Sequence, residues 1–450
     1  MSTFRQCAVR YLPLLLALSA PFITLFLFPG RIFAIDFESF GYWAKCLSRF
    51  QGPAYSDCSP QLINYPTVGL YASAGVIRVL QSLGLEGASV QLGFQLFLGA
   101  VDTLSILLMY LLLRGLGISH AAWATLVFAV LPSTRVGGNL WGQIDDVTQL
   151  FLSAALLFGL RCLRAMHRAT ATKALRYFLA LSFAMACSVL TKQLAVFSLP
   201  ALGIMWLVCV SRLYRLIPPA ALSVTIVAVA VVFIVVDQLF PTPPGYYCSG
   251  LLYVFMRGSD HASTVQAMGT SLFALLPIPG HAPSTWAYPI FTLGGVTAKV
   301  IPLYFGQFAF FTAVFVMTFF GALVVKRLRP LNPEEVLLMT LAVGAGANLF
   351  MNTFLAGTHE RYLYHYGFFV YPLLLSLVRT SSFSKALFAL CLMHLCIYGC
   401  FVFKVFIFDL ESPLTKYAQQ TVALANVVSS FVALWLVTRA ARRRSPKDLA

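Results

Sequence analysis

Charge is scarce in this chain. Only 10% of its 450 residues are Asp, Glu, Lys or Arg, and only 15 of them are acidic. With 59% hydrophobic residues and a mean hydropathy of +0.83, a soluble domain of this length could not hide its apolar surface. The composition therefore indicates a polytopic membrane protein. Other things are missing too. The ten cysteines include no C-x-x-C pair, which leaves zinc-ribbon and thioredoxin-like chemistry with little support. No internal repeat, low-complexity tract or soluble domain is visible, and the two halves are unlike, which counts against an inverted-repeat transporter. No N-x-Ser/Thr sequon occurs, as fits a bacterial inner membrane.

What is present is a positive excess, +16 net. No basic patch alternates with polar or aromatic residues in a soluble segment, so nucleic acid is not indicated. The excess reads as the positive-inside bias of a membrane protein. Apolar runs begin near Tyr11, Gln91, His120, Ile144, Ala174, Leu194, Leu216, Ile301, Glu334, Leu363, Ala386 and Gln420, about twelve spans in all. The first apolar stretch is too long for a cleaved leader and reads as a retained span. Arg5 and Arg10, Arg114, the group from Arg161 to Arg176, Arg212 and Arg215, Lys326 to Arg329, Arg379 and Lys385, and the tail after Thr438 alternate as twelve spans require. Both termini then face the cytoplasm. Parity also requires residues 65–84, though apolar, to lie on the outer surface as an interfacial helix. The chain reads as one integral membrane domain, 1–450. A first extracytoplasmic loop covers 30–90, and a long one rich in Pro, Gly and aromatics covers 241–300.

Ionisable residues gather on the outer side of this map. Asp36 and Glu38 stand two apart just after the first span. Such a pair can hold a divalent ion (Mg or Mn) or share base duty, or it is simply a solvated pair of acids. Asp145 and Asp146 open a span, with Asn139 and Gln143 close by. Helix capping accounts for one of these acids but not for the cluster. Lys192 can snorkel or clamp a phosphate. In His359, Glu360 and Arg361, the His and Arg can grip an anion, and Glu360 can pair with Arg361 or Lys192. Tyr362 and Tyr364 suit an aromatic belt. Asp102, inside a span, suits a bond to a neighbouring helix. Cys46 and Cys58 share the first loop and could form a disulfide in an oxidising compartment.

Four stretches, in order, resemble the GT-C superfamily of glycosyltransferases: "DFESFGYWAKCL" with "NYPTVGLY", "NLWGQIDDVTQLFL", "TKQLAVFSLPAL" and "GTHERYLYHYGFFVYPLLL". The likeness is to bacterial mannosyl- or glucosyltransferase-type members. It spans residues 36–375 discontinuously, and 381–450 carries no matching motif. In one departure, "HYGFFVY" stands before Pro372 where related bacterial sequences often have an earlier proline.

The resemblance implies an all-α polytopic GT-C fold, about 12 transmembrane helices with extracytoplasmic loops and interfacial helices. It implies an inverting transfer of a hexose or other monosaccharide from a polyprenyl-phosphate carrier to an acceptor hydroxyl on the extracytoplasmic face. The acceptor can be glycan, lipid or protein. Asp36 would be the base, with Asp145 as partner or substitute. Lys192, His359 and Arg361 would meet the leaving phosphate, helped by Arg135 or Arg257. Glu38, Gln143, Asp146 and Glu360 complete the expected substrate-binding set. No cofactor is demanded, and Asp36 with Glu38 is the candidate metal pair. A lipid-linked sugar flippase is the alternative. It would spread ionisable residues along a central path, whereas here they collect on one face.

Overall fold

A computed structural model describes residues 2–28, 34–49, 65–135, 140, 142–239, 251–252, 254, 270–276, 278, 282–293, 296–327, 332–356, 363–377, 391–401 and 413–443. The chain divides into two compact units. One comprises 1–196 and 208–257, the other 197–207 and 258–450. Seven helices among the described residues are long and apolar enough to cross a membrane, and three shorter apolar helices accompany them. The protein is a helical, polytopic membrane protein. Each of the twelve expected spans overlaps a helix among the described residues, and seven of the helices have spanning length.

In the first unit, α1 (Ser2–Leu27) packs on α5 (Ala88–Gly115) and α6 (Ala121–Val130). Helix α2 (Ala34–Arg49) rests against a helical segment built from α3 (Thr67–Leu70), a π-helical turn (Tyr71–Gly75) and α4 (Val76–Ser82). That whole segment is about 24 Å long at 1.5 Å per residue, short of the roughly 30 Å hydrocarbon core. Phe40, Trp43, Tyr65 and Phe94 interlock there. Ring centroids lie 5.3 Å apart for Phe40–Trp43 and Trp43–Tyr65, and 5.8 Å apart for Phe40–Phe94. This aromatic knot ties α2 and the entry to α3 onto α5.

Helix α6 is a departure. The apolar run from His120 looked spanning, but the helix stops after ten residues. Pro132 follows Leu131, and proline disfavours helical backbone in the residue before it. Ten residues rise only about 15 Å. A four-residue helix α7 (Pro132–Arg135) comes next, bringing a charged side chain among the helices.

Helices α8 (Asp145–His167) and α9 (Ala171–Thr191) form an antiparallel hairpin, the most extensively packed pair among the described residues. Ala169, in the left-handed region at φ 53°, closes the turn. Around it, Thr170 N–H donates to Ala165 O at 2.9 Å and Ala169 N–H to Met166 O at 3.0 Å, which satisfies end carbonyls of α8. After α9 come a 3-10 turn (Gln193–Ser198), α10 (Leu199–Leu213) and α11 (Pro219–Gln238). At the end of α11, Asp237 accepts from Leu251 N–H at 2.7 Å.

In the second unit, α12 (Pro302–Arg327) packs on α13 (Pro333–Phe354), which also meets α14 (Tyr364–Leu377) and α16 (Pro413–Arg443). Helix α15 covers Cys391–Phe401. A buried polar knot joins these elements. Asn426 donates to Thr270 O at 2.8 Å and Asn352 Oδ1 at 3.1 Å, while its own Oδ1 meets His394 Nε2 at 2.8 Å. The all-helical expectation needs one addition inside the long loop: an antiparallel hairpin of β1 (Tyr288–Leu293) and β2 (Val296–Val300). Its sequence, two β-prone runs around Gly294 and Gly295, is a hairpin signal.

Candidate active site

The hairpin geometry makes the site. Helix α8 begins where α9 ends, so Asp145 in the first turn of α8 stands beside Lys192 at the cap of α9. Each charge suits its helix end, the anion at an N-terminus and the cation at a C-terminus. Lys192 Nζ lies 2.7 Å from Asp145 Oδ2, with both residues only 3% exposed. Lys192 adopts extended backbone, φ −149° and ψ 135°, which ends α9.

Two further groups complete the cluster. Gly142 takes φ +74°, a turn that few other residues accept, and it sets Gln143 at the mouth of α8. Gln143 Oε1 accepts from Lys192 Nζ at 3.4 Å and from the Tyr65 hydroxyl in a short hydrogen bond. These two donors fix the orientation of the amide. Its Nε2, fully buried, finds no acceptor among the described residues. The Tyr65 ring lies under the ammonium, 5.4 Å from Lys192 Nζ to its centroid.

Gly69 allows this convergence. A Cβ there would stand 1.9 Å from Thr191 O and 2.8 Å from Ile144 Cδ1. Only a residue without a side chain lets α3 approach the junction of α8 and α9 so closely. Three stretches far apart in sequence, around Tyr65, Gln143 and Lys192, therefore form one buried cluster.

The remaining expected residues are distributed as follows. Asp146 is fully buried next to Asp145 in the chain. Glu38 is exposed on α2. Asp36 belongs to α2, but its side chain lies outside the described residues, as do His359, Glu360, Arg361 and Arg257. Arg135, expected to help at a phosphate, instead meets Asp102 of α5, Nη1 to Oδ2 at 2.5 Å, with both side chains buried. The shortness of α6 is the reason, since it leaves Arg135 at the depth of Asp102 rather than beyond the helix ends.

Tyr65 is the residue that reading the sequence undervalued. It stands in the Tyr-Pro stretch, yet nothing local indicates that its hydroxyl serves a glutamine 78 positions away. Cys46 is disulfide-bonded. No group of three or more His, Cys, Asp or Glu gathers as a metal site among the described residues.

No family model matches the chain, and no curated protein does. Among solved structures it is similar to an oligosaccharyltransferase of Archaeoglobus fulgidus, crystallised with a tethered acceptor peptide. Sequence identity is 13% and the TM-score 0.43. The match covers 96% of this chain and 55% of that one, so the chain spans about half the length of that enzyme.

Proposed function

We propose that the protein is a GT-C glycosyltransferase. It moves a monosaccharide from a polyprenyl-phosphate carrier to an acceptor hydroxyl at the extracytoplasmic face of a bacterial inner membrane. The observation that carries this reading is the meeting of Tyr65, Gln143, Asp145 and Lys192. Three of the four stretches that resemble the superfamily supply them, and they converge within hydrogen-bonding distance. What sets the Asp145–Lys192 pair apart from a structural one is the buried Gln143 amide donor beside it, which meets no acceptor among the described residues.

In this proposal Asp36 takes the proton of the acceptor hydroxyl as it attacks the anomeric carbon, which inverts that centre. Asp145 orients the acceptor, and the Gln143 Nε2 amide offers a donor to a substrate oxygen. Lys192 takes a task other than clamping phosphate. It is buried and engaged with Asp145, so it holds that carboxylate in place. The leaving polyprenyl phosphate falls to His359 and Arg361. Glu360 pairs with Arg361, Glu38 and Asp146 shape the pocket, and the 241–300 loop selects the acceptor. A divalent ion at Asp36 and Glu38 is part of the proposal only, and no step is assigned to it. The disulfide at Cys46 supports an oxidising compartment for the end of α2.

A flippase reading gains little, because Asp102, the clearest ionisable residue inside a span, is buried and engaged in an ion pair with Arg135. The test is sugar transfer from a polyprenyl-phosphate donor by purified protein. Loss of turnover in Asp36→Asn, with folding intact, supports the base. Near-normal turnover in both Asp36→Asn and Asp145→Asn removes the reading. Comparing envelope glycans and lipids with and without the gene by mass spectrometry names donor and acceptor.

A further inference from the structure

At the far end of the α8–α9 hairpin lies a second concentration of charge, all of one sign. The ends of three helices are fastened together there. Arg164 donates to the Gly115 carbonyl at the end of α5 in a short hydrogen bond. Cys162 Sγ donates to Ala174 O at 3.3 Å, and the Arg161 guanidinium stands 6.0 Å from the centre of the Tyr177 ring. Arg114, Arg168, Lys173 and Arg176 are exposed around this junction. No Asp or Glu occurs between Asp102 and Asp145, or between Asp146 and Asp237. Arg114, Arg161, Arg168, Lys173 and Arg176 therefore have no acidic residue near them in the sequence.

The distance from the candidate active site is set by helix length. Helix α8 has 23 residues and α9 has 21. At 1.5 Å per residue both are somewhat over 30 Å long, about one hydrocarbon thickness. If the Asp145–Lys192 pair sits at one membrane face, this cluster sits at the other, at the level of lipid headgroups. Six like charges at one junction repel each other, and the headgroup layer is where opposite charge is available.

We propose that the joined ends of α5, α8 and α9 form a binding surface for the phosphate headgroups of anionic phospholipids. The partially buried Arg161 and Arg164 set the floor, and Arg114, Arg168, Lys173 and Arg176 form the exposed rim. Arginine suits this role because its planar fork meets two phosphate oxygens at once.

Native mass spectrometry of the full-length protein in detergent, titrated with phosphatidylglycerol or phosphatidylcholine, tests the proposal. Phosphatidylglycerol is expected to be retained in preference, and the preference should fall as salt rises. Each surface cation contributes about fivefold. The variant Arg168→Gln/Lys173→Gln/Arg176→Gln should therefore lose about a hundredfold of preference, and Lys173→Gln alone about fivefold. The single variant serves if the triple one does not fold. Equal retention of the two lipids by the unaltered protein overturns the proposal, as does a wild-type preference in the folded variants. Displacement of the lipid by equimolar inorganic phosphate would also overturn it, because that identifies a free anion as the ligand. Lipid retention is read without any sugar transfer, so failure here and failure of the glycosyltransferase reading are separate results.

Discussion

Lys192 and Asp145 form a buried ion pair 2.7 Å long that joins the residue capping the end of one membrane helix to the first residue of its neighbour. Two charges withdrawn from water stabilise a fold only when each satisfies the other. Here Gln143 and the face of Tyr65 add to that satisfaction.

Removing one partner leaves the other buried and unpaired. Lys192→Met should destabilise the protein by about 3–5 kcal/mol. The double variant Lys192→Met/Asp145→Leu should recover most of that loss while sugar transfer stays absent. Thermal unfolding in detergent, run alongside the transfer assay, checks both halves. A double variant as unstable as the single one would show that the pair is not the relevant interaction.

Tyr65→Phe keeps the ring in the aromatic knot and deletes only the hydroxyl. The Gln143 carbonyl then loses a buried donor, a loss of about 1–3 kcal/mol. Stability is expected to fall by that amount, with a larger effect on turnover than on donor affinity. A silent substitution in both measurements would count against Tyr65 as a positioning residue.

Gly69→Ala is expected to be far more damaging than its size suggests. Its Cβ would fall 1.9 Å from the Thr191 carbonyl, so either α3 or the end of α9 must move. That motion separates Tyr65 from Lys192. Turnover should be lost with unfolding temperature reduced, whereas Ala at Gly41, where a Cβ meets nothing within 4 Å, should be tolerated apart from helix propensity.

Asp102 and Arg135 provide a comparison without a site. Asp102→Leu alone should destabilise by about 3–5 kcal/mol, and Asp102→Leu/Arg135→Met should restore stability and retain transfer activity. Transfer lost in a stable double variant would assign Arg135 a part in the chemistry after all.

The membrane character, the positions of the long apolar helices and three of the clustered residues are legible in the sequence, whereas helix α2 falls in what reads as loop. Hydropathy reports burial in lipid directly, and Gln143, Asp145 and Lys192 are polar where polarity is costly. Less visible were the relationships that depend on depth. Nothing near Arg135 announces Asp102, because the meeting follows from the early end of α6 at Leu131. Pro132 was the available signal. The role of Tyr65 needed Gly69 to be seen pressed against Thr191, a contact between segments more than a hundred residues apart. The loop hairpin has its signal in Gly294 and Gly295, a turn pair that hydropathy does not register.

The charged ends of the α8–α9 hairpin have one more consequence. A helix with charge at only one end can slide along the membrane normal to suit a thicker or thinner bilayer. This hairpin carries Asp145 and Lys192 at one end and Arg164, Arg168 and Lys173 at the other, so sliding either way drags charge into hydrocarbon. Such a hairpin would act as a ruler that holds the pair at its tip to one depth. In the proposed reaction, a carrier lipid with a longer or shorter tail would present its phosphate to the same level. Discrimination between carriers by tail length would then have to arise from elements other than α8 and α9.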